Sequence, residues 1–120
     1  MLSMTIYKQR QVLLVPVPFT DQNVEKPRPA VVLSSQAFNA AYNLCIIAAI
    51  TSSIPNQLEN DEVLIKGLEL AQAGLPKVSI VKSGTLFTIS NHKILRQMGE
   101  LTPATFNKVQ QCLLHILGTR

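Results

Sequence analysis

The sequence predicts a small α+β domain, mainly β: a mostly antiparallel barrel with short helices and a C-terminal amphipathic helix. Three observations carry this. Short runs rich in β-branched residues recur between polar breaks that contain Pro or Gly. The run Leu44-Cys45-Ile46-Ile47-Ala48-Ala49-Ile50 is continuously apolar and of strand length, the composition of a strand buried on both faces. Thr102-Pro103 opens, and Gly118 closes, a segment in which Phe106, Val109, Leu113 and Ile116 share one helical stripe. The 120 residues fit one domain spanning 1–120, and with 47% apolar against 15% charged residues long disorder is excluded.

The elements follow in chain order. Gln11 to Phe19 reads as a strand that Pro16 and Pro18 restrict to an edge or a bulge. Thr20 to Lys26 is polar and turn-like, and Ala30 to Leu33 is the second strand. Ser35 to Asn43 sets Phe38 and Tyr42 one helical turn apart, which predicts a short helix before the apolar strand. That strand ends in Thr51-Ser52-Ser53, small hydroxyl residues opening onto a loop with Pro55 and Asn56. Glu62 to Ile65 is a short strand, and Gly67 to Gly74 a short helix or structured loop closed by Pro76. Val78 to Val81 and Leu86 to Ile89 read as a hairpin about Lys82-Ser83-Gly84. Ser90 or Asn91 is expected to cap a helical turn through Leu95 that ends at Gly99. Five strands and a terminal helix then close into a barrel, which removes the open sheet edges.

A net charge of +4 favours a polyanionic partner such as nucleic acid. Cys45 and Cys112 lie in apolar runs without C-x-x-C spacing and read as small buried hydrophobes of a reducing compartment. His92 and His115 form no ligand pattern with them, so no metal or cofactor is expected. No apolar run has the length of a membrane span, and the N-terminus lacks the charged-then-apolar order of a signal peptide. A cytoplasmic protein with no membrane contact is the expectation.

One arginine is placed with care. Pro27 and Pro29 fix their own φ and push Lys26 and Arg28 into extended backbone, so Arg28 loses less entropy on gripping a ligand. Its planar guanidinium offers the fork of donors that matches a phosphate. Thr51 and Ser52, at the end of the apolar strand, supply two hydroxyls suited to the same group. Ser53 extends that hydroxyl run. Glu25 and Asp21 are the nearest available proton acceptors. Phe19 offers an aromatic platform for a base, although a strand-end Phe serves a core equally well. Lys26, Lys77 and Lys82 suit a nucleic-acid backbone, or simply keep an apolar protein in solution.

Pro18-Phe19-Thr20-Asp21, Arg28-Pro29-Ala30-Val31-Val32-Leu33-Ser34 and Ala49-Ile50-Thr51-Ser52 together resemble the MazF/PemK family of toxin endoribonucleases. Gly74-Leu75-Pro76-Lys77-Val78-Ser79-Ile80-Val81, Leu86-Phe87-Thr88-Ile89, Met98-Gly99-Glu100-Leu101 and the closing helix fall in that family's order, so the resemblance covers nearly the whole chain. It implies an SH3-like barrel that forms a homodimer, cleaves single-stranded RNA without a metal, and pairs with an acidic antitoxin. Arg28 matches the family's catalytic arginine and Thr51 its phosphate-side threonine. The implied chemistry is attack of a 2'-hydroxyl on the adjacent phosphate. Two departures stand out: Gln9-Arg10-Gln11 where the family carries Arg-Gly-Asp, and Phe87-Thr88-Ile89-Ser90 where it carries Arg-Thr-Ile-Asp. They leave open an alternative, a catalytically silent barrel that binds RNA or an antitoxin peptide without cutting.

Overall fold

Strand alternation sorts the apolar residues onto the two faces of a single sheet. The computed structural model describes residues 5–18 and 25–118. Their elements run β1 (Gln11–Pro18), β2 (Glu25–Val32), α1 (Gln36–Tyr42), β3 (Leu44–Thr51), β4 (Glu62–Ile65), α2 (Glu69–Ala73), β5 (Ser79–Ser90), β6 (Arg96–Glu100) and α3 (Pro103–Leu117). The strands form one antiparallel sheet in the order β4-β5-β3-β2-β1-β6, curled into a half-barrel. One face packs Val12, Val31, Ala48, Ile50, Val63 and Val81 against Ala73 of α2 and Phe106 and Val109 of α3. The other buries Leu13, Val15, Ala30, Val32, Cys45, Ile47, Ile89 and Ile94. Burial pushes the Cys45 thiol up to about 11, and raises the Tyr7 hydroxyl beside it.

The helix ends behave as their residues require. The Ser35 hydroxyl accepts from Phe38 N–H at the start of α1, and Asn43 ends it in left-handed backbone. The Thr102 hydroxyl accepts from Thr105 N–H at the start of α3, where Glu69 of α2 adds a carboxylate. Glu69 Oε2 accepts from the Thr102 N–H at 3.0 Å and its Oε1 from the Thr105 hydroxyl at 2.7 Å, tying the two helices together. At the far end of α3 the expected stripe thins out, with Ile116 42% exposed.

Three expectations are corrected. β2 runs from Glu25 to Val32 and not from Ala30 to Leu33, so Arg28 lies inside the strand; the proline-flanked backbone is already extended and simply joins the sheet. The segment predicted as a hairpin is one long strand, β5, with a register break: Ala48 pairs Leu86 and Ala49 pairs Lys82, leaving Ser83-Gly84-Thr85 unpaired with β3. Ser83 donates its N–H to Asp61 O at 3.0 Å, so the chain bulges there without reversing. An odd insertion flips the alternation, which is why β5 gives Val81 to one cluster and Ile89 to the other. Finally, after a 3-10 turn at Asn91–Lys93 the chain forms a sixth strand, β6, not a helical turn running to Gly99. β6 is a polar edge strand without apolar alternation.

Two of the segments singled out in the sequence have distinct local structures. Arg10 takes φ +78°, a conformation that glycine adopts freely. It is held there by Nη1 donating to Leu101 O at 2.8 Å and by an ion pair with Glu100 at 3.6 Å. Phe87 packs against the second core cluster, and the Ser90 hydroxyl lies 2.7 Å from His92 Nδ1. No helix among the described residues is long and apolar enough to cross a membrane.

Candidate functional site

The sheet opens where a proline removes one rung. Leu33 N–H donates to Ile46 O at 2.9 Å, so along this strand the odd-numbered residues turn their N–H toward β3. The next donors in that direction belong to Val31 and then Pro29, and Pro29 has no N–H to give. The β2–β3 ladder accordingly ends at Ala30 opposite Ala49. Two residues further on, the same register sets Arg28 across from Thr51, on the face that carries Ala30 and Ile47. Beyond the last rung, residues of both strands line a cleft of about 220 Å³.

The cleft has an apolar floor and a polar rim. Leu14, Pro29 and Ile50 form the floor together with Leu75 and Met98. Arg28, Thr51 and Ser52 stand on one side, and Pro76, Lys77 and Ser79 come from the turn that leads into β5. A contiguous opening of about 260 Å³ extends the rim from Arg28 and Thr51 to Ser53. Ser53 donates its N–H to Thr51 Oγ1 at 3.1 Å, which fixes that rotamer and leaves the Thr51 hydroxyl proton to be donated outward. Arg28 is exposed.

Two glycines hold the far wall in place. Gly74 ends α2 at φ +73°, and a Cβ built on it would lie 2.0 Å from Met98 O; one built on Gly99 would lie 2.2 Å from Gln72 O. The backbones of α2 and β6 thus touch directly, and this contact seats both Met98 and the Leu75–Lys77 turn at the cleft. Leu75 N–H donates to Leu70 O at 2.9 Å, and the Ser79 hydroxyl to Lys77 O at 2.9 Å. Sequence reasoning did not anticipate Ser79, Leu75 or Met98 as cleft residues. The glycines were the available signal, since a close backbone approach requires them.

The remaining expected residues are placed as follows. Lys26 is exposed on the same side of β2 as Arg28, about 7 Å along the strand. Lys82 lies outside the cleft, paired with Glu62 across the β4–β5 ladder at 3.6 Å. Glu25 begins β2, but its side chain, like the whole of Phe19 and Asp21, lies outside the described residues. Among the described residues no three His, Cys, Asp or Glu side chains gather as a metal site would require.

The match to known proteins is broad. The chain matches, over residues 8–117, the model of the PemK-like, MazF-like toxins of type II toxin-antitoxin systems. It belongs to that family. The family is one of toxin endoribonucleases. Similar solved structures include an endoribonuclease in complex with its cognate antitoxin from a mycobacterial species, at 19% identity and a TM-score of 0.77, covering 95% of this chain and 97% of that one. MazF in the MazE-MazF complex of Deinococcus radiodurans is similar at 22% identity and a TM-score of 0.72, covering 95% and 98%. The Mycobacterium tuberculosis toxin MazF-mt6 follows at 18% identity and 0.71, covering 90% and 96%. At these identities the likeness is one of fold. No curated protein is similar enough in sequence to count as a match.

Proposed function

We propose that this MazF-like protein is the toxin of a type II toxin-antitoxin pair and an endoribonuclease that cuts single-stranded RNA without a metal. The observation that carries the reading is the register that brings Arg28 and Thr51 of neighbouring strands opposite each other at the rim of one cleft. In the reaction the substrate's own 2'-hydroxyl attacks the adjacent phosphorus. The bond to the 5'-oxygen breaks, leaving a 2',3'-cyclic phosphate and a 5'-hydroxyl. Arg28 donates to the non-bridging oxygens as negative charge builds on them, and the Thr51 hydroxyl donates from the neighbouring strand. Ser52 supports the same phosphate and Ser53 and Lys26 the flanking backbone. Glu25, three residues before Arg28, takes the proton of the attacking hydroxyl, and solvent reprotonates the leaving oxygen. Phe19 and Asp21 contact the substrate ahead of β2. The protein acts in the cytoplasm, and its antitoxin covers the Arg28 cleft with an acidic segment, excluding RNA by charge and by volume.

The test is cleavage of single-stranded RNA by purified protein in EDTA, with the ends identified. Cyclic phosphate products are expected, and a 2'-deoxy substitution at the scissile nucleotide should abolish cutting while sparing binding. Arg28→Ala should lower turnover by about 10²- to 10³-fold, and Thr51→Val by less. Wild-type rates from Arg28→Ala would sink the site, and metal-dependent cutting to 3'-hydroxyl ends would sink the reaction. A second reading, a barrel that binds RNA or antitoxin without cutting, is favoured by Phe87 and Ser90, which put an apolar contact and a hydroxyl where the family carries two charges. Failure to cleave a broad set of RNAs would establish that reading instead.

A further inference from the structure

We infer that the apolar floor of the cleft is a nucleobase pocket, and that Ser79 selects in it a base carrying an exocyclic amino group, adenine or cytosine. The inference rests on the RNA-cleaving reading and adds to it which bases stand beside the cut. Strand alternation gives the two faces of the sheet end different tasks. Arg28 and Thr51 belong to the face of Ala30 and Ile47, whereas Pro29, Ile50 and Ser79 share the opposite face with Val31, Ala48 and Val81. Leu14 pairs with Pro29 there, and Leu75 from the turn after α2 and Met98 from β6 complete the floor. A phosphate held by Arg28 and Thr51 at the rim therefore leaves a neighbouring base beside a pocket of apolar side chains. At about 220 Å³ the pocket is smaller than the roughly 300–1,000 Å³ that drug-sized ligands occupy, and it fits a single flat ring system. Aliphatic side chains and the Met98 thioether are good partners for the faces of such a ring.

The polar group at the floor sets which edge of the base is read. Ser79 lines the cleft at 3% exposure, and its hydroxyl donates to Lys77 O at 2.9 Å. With its one proton committed, Ser79 Oγ can only accept. Thr51 pairs with Ile80, so Ser79 lies one step along β5 from the rung that holds Thr51, next to the reacting phosphate. A base tethered through its sugar to the rim enters with its Watson–Crick edge leading. Adenine and cytosine carry amino donors on that side, N6 and N4, where guanine and uracil carry keto oxygens. An amino group satisfies Ser79 Oγ. A keto oxygen in its place faces another acceptor and gives up its water without a replacement.

The first experiment cuts a single-stranded RNA pool of randomised sequence with purified protein and sequences the new ends. Wild type should favour A and C over G and U by about fivefold to tenfold at one position beside the cut, the discrimination that one hydrogen bond supplies. Ser79→Ala should even out that position and leave the preferences at other positions in place. The second experiment changes the base instead of the protein, so it stands even where Ser79→Ala folds poorly. An RNA with adenine at that position and the same RNA with purine, which lacks the amino group, are compared by kcat/KM; uncuttable 2'-deoxy homopolymers of adenine and of purine are compared by affinity. Wild type should lose about fivefold to tenfold with purine, and Ser79→Ala should treat the two bases alike. A base preference unchanged in Ser79→Ala, or equal handling of adenine and purine by wild type, in a protein that cuts RNA would overturn this inference alone. Wild type that cuts no RNA would overturn the nuclease reading, and the affinities of the two homopolymers would then decide the pocket. Wild type with no affinity for single strands would overturn both and assign the floor to an apolar side chain of the antitoxin.

Discussion

Arg10 shows how a single side chain can stand in for a backbone preference. A non-glycine residue at φ +78° carries a strain of about 1–2 kcal/mol, which its hydrogen bond to Leu101 O and its pairing with Glu100 offset. Arg10→Gly should therefore change stability little, removing strain and contacts together, whereas Arg10→Ala keeps the strain, loses the contacts and should be less stable than Arg10→Gly by about 1 kcal/mol in urea titrations. Cys45 sets a pH limit. Its thiol is raised from 9.0 to about 11 by burial, so the folded chain holds that proton more tightly than the unfolded chain. The stabilisation is complete below pH 9.0 and is lost as pH rises toward about 11. Cys45→Ala should flatten that part of the stability profile. At this scale the sequence displayed Arg28 and Thr51 as candidates, because proline flanks and a strand-end hydroxyl pair are local features. Their convergence was not legible, since it depends on the register between β2 and β3, which α1 separates in sequence. Nor were Lys77 and Lys82 distinguishable: both are lysines near β5, and only the fold gives one a glutamate and the other a cleft.

Between elements, the close contact of α2 with β6 governs the shape of the site. A methyl group at Gly99 would lie 2.2 Å from Gln72 O, which only backbone displacement can relieve. Gly99→Ala should cost about 1–3 kcal/mol by thermal or urea unfolding. RNA cleavage should fall beyond what the unfolded fraction explains, because Met98 and the Leu75–Lys77 turn move with the contact. Unchanged stability in this variant would show that β6 can shift freely. The elements that sequence reasoning recovered were those with their own signals: the capped helix α3, the apolar β3, the short α1. β6 was missed because a polar edge strand gains its place from the pairing of Leu13 with Gln97 and Leu14 with Arg96, not from its own pattern. The bulge in β5 was misread because Ser83-Gly84 is equally suited to a hairpin turn, and what prevents reversal is a hydrogen bond to Asp61, far away in sequence.

For the whole molecule, the half-barrel leaves apolar residues at its surface, among them Leu114 at 40% and Leu117 at 62% exposure at the end of α3, with Tyr42 at 64% on α1. Together with the family assignment this is the basis for expecting a homodimer. Sedimentation at micromolar concentration should give twice the 13.2 kDa chain mass, and a monomer throughout that range would refute it. The two-faced core was foreseeable from a chain with 47% apolar residues, but not the strand order, because the long connections between β3, β4 and β5 carry no mark of which edge they reach.

The rung missing at Pro29 has a consequence for how this protein tolerates change. Any residue with an N–H at position 29 would let β2 and β3 continue their ladder toward Arg28 and Thr51, zipping the cleft closed. Pro29→Ala is therefore expected to match or exceed the parent in unfolding experiments while losing RNA cleavage, with amide exchange at Ile50 slowing as the rung forms. A library enriched for thermal robustness alone would collect such replacements as improvements. One enriched for growth arrest would discard them, so Pro29 is a position where the two selections pull in opposite directions.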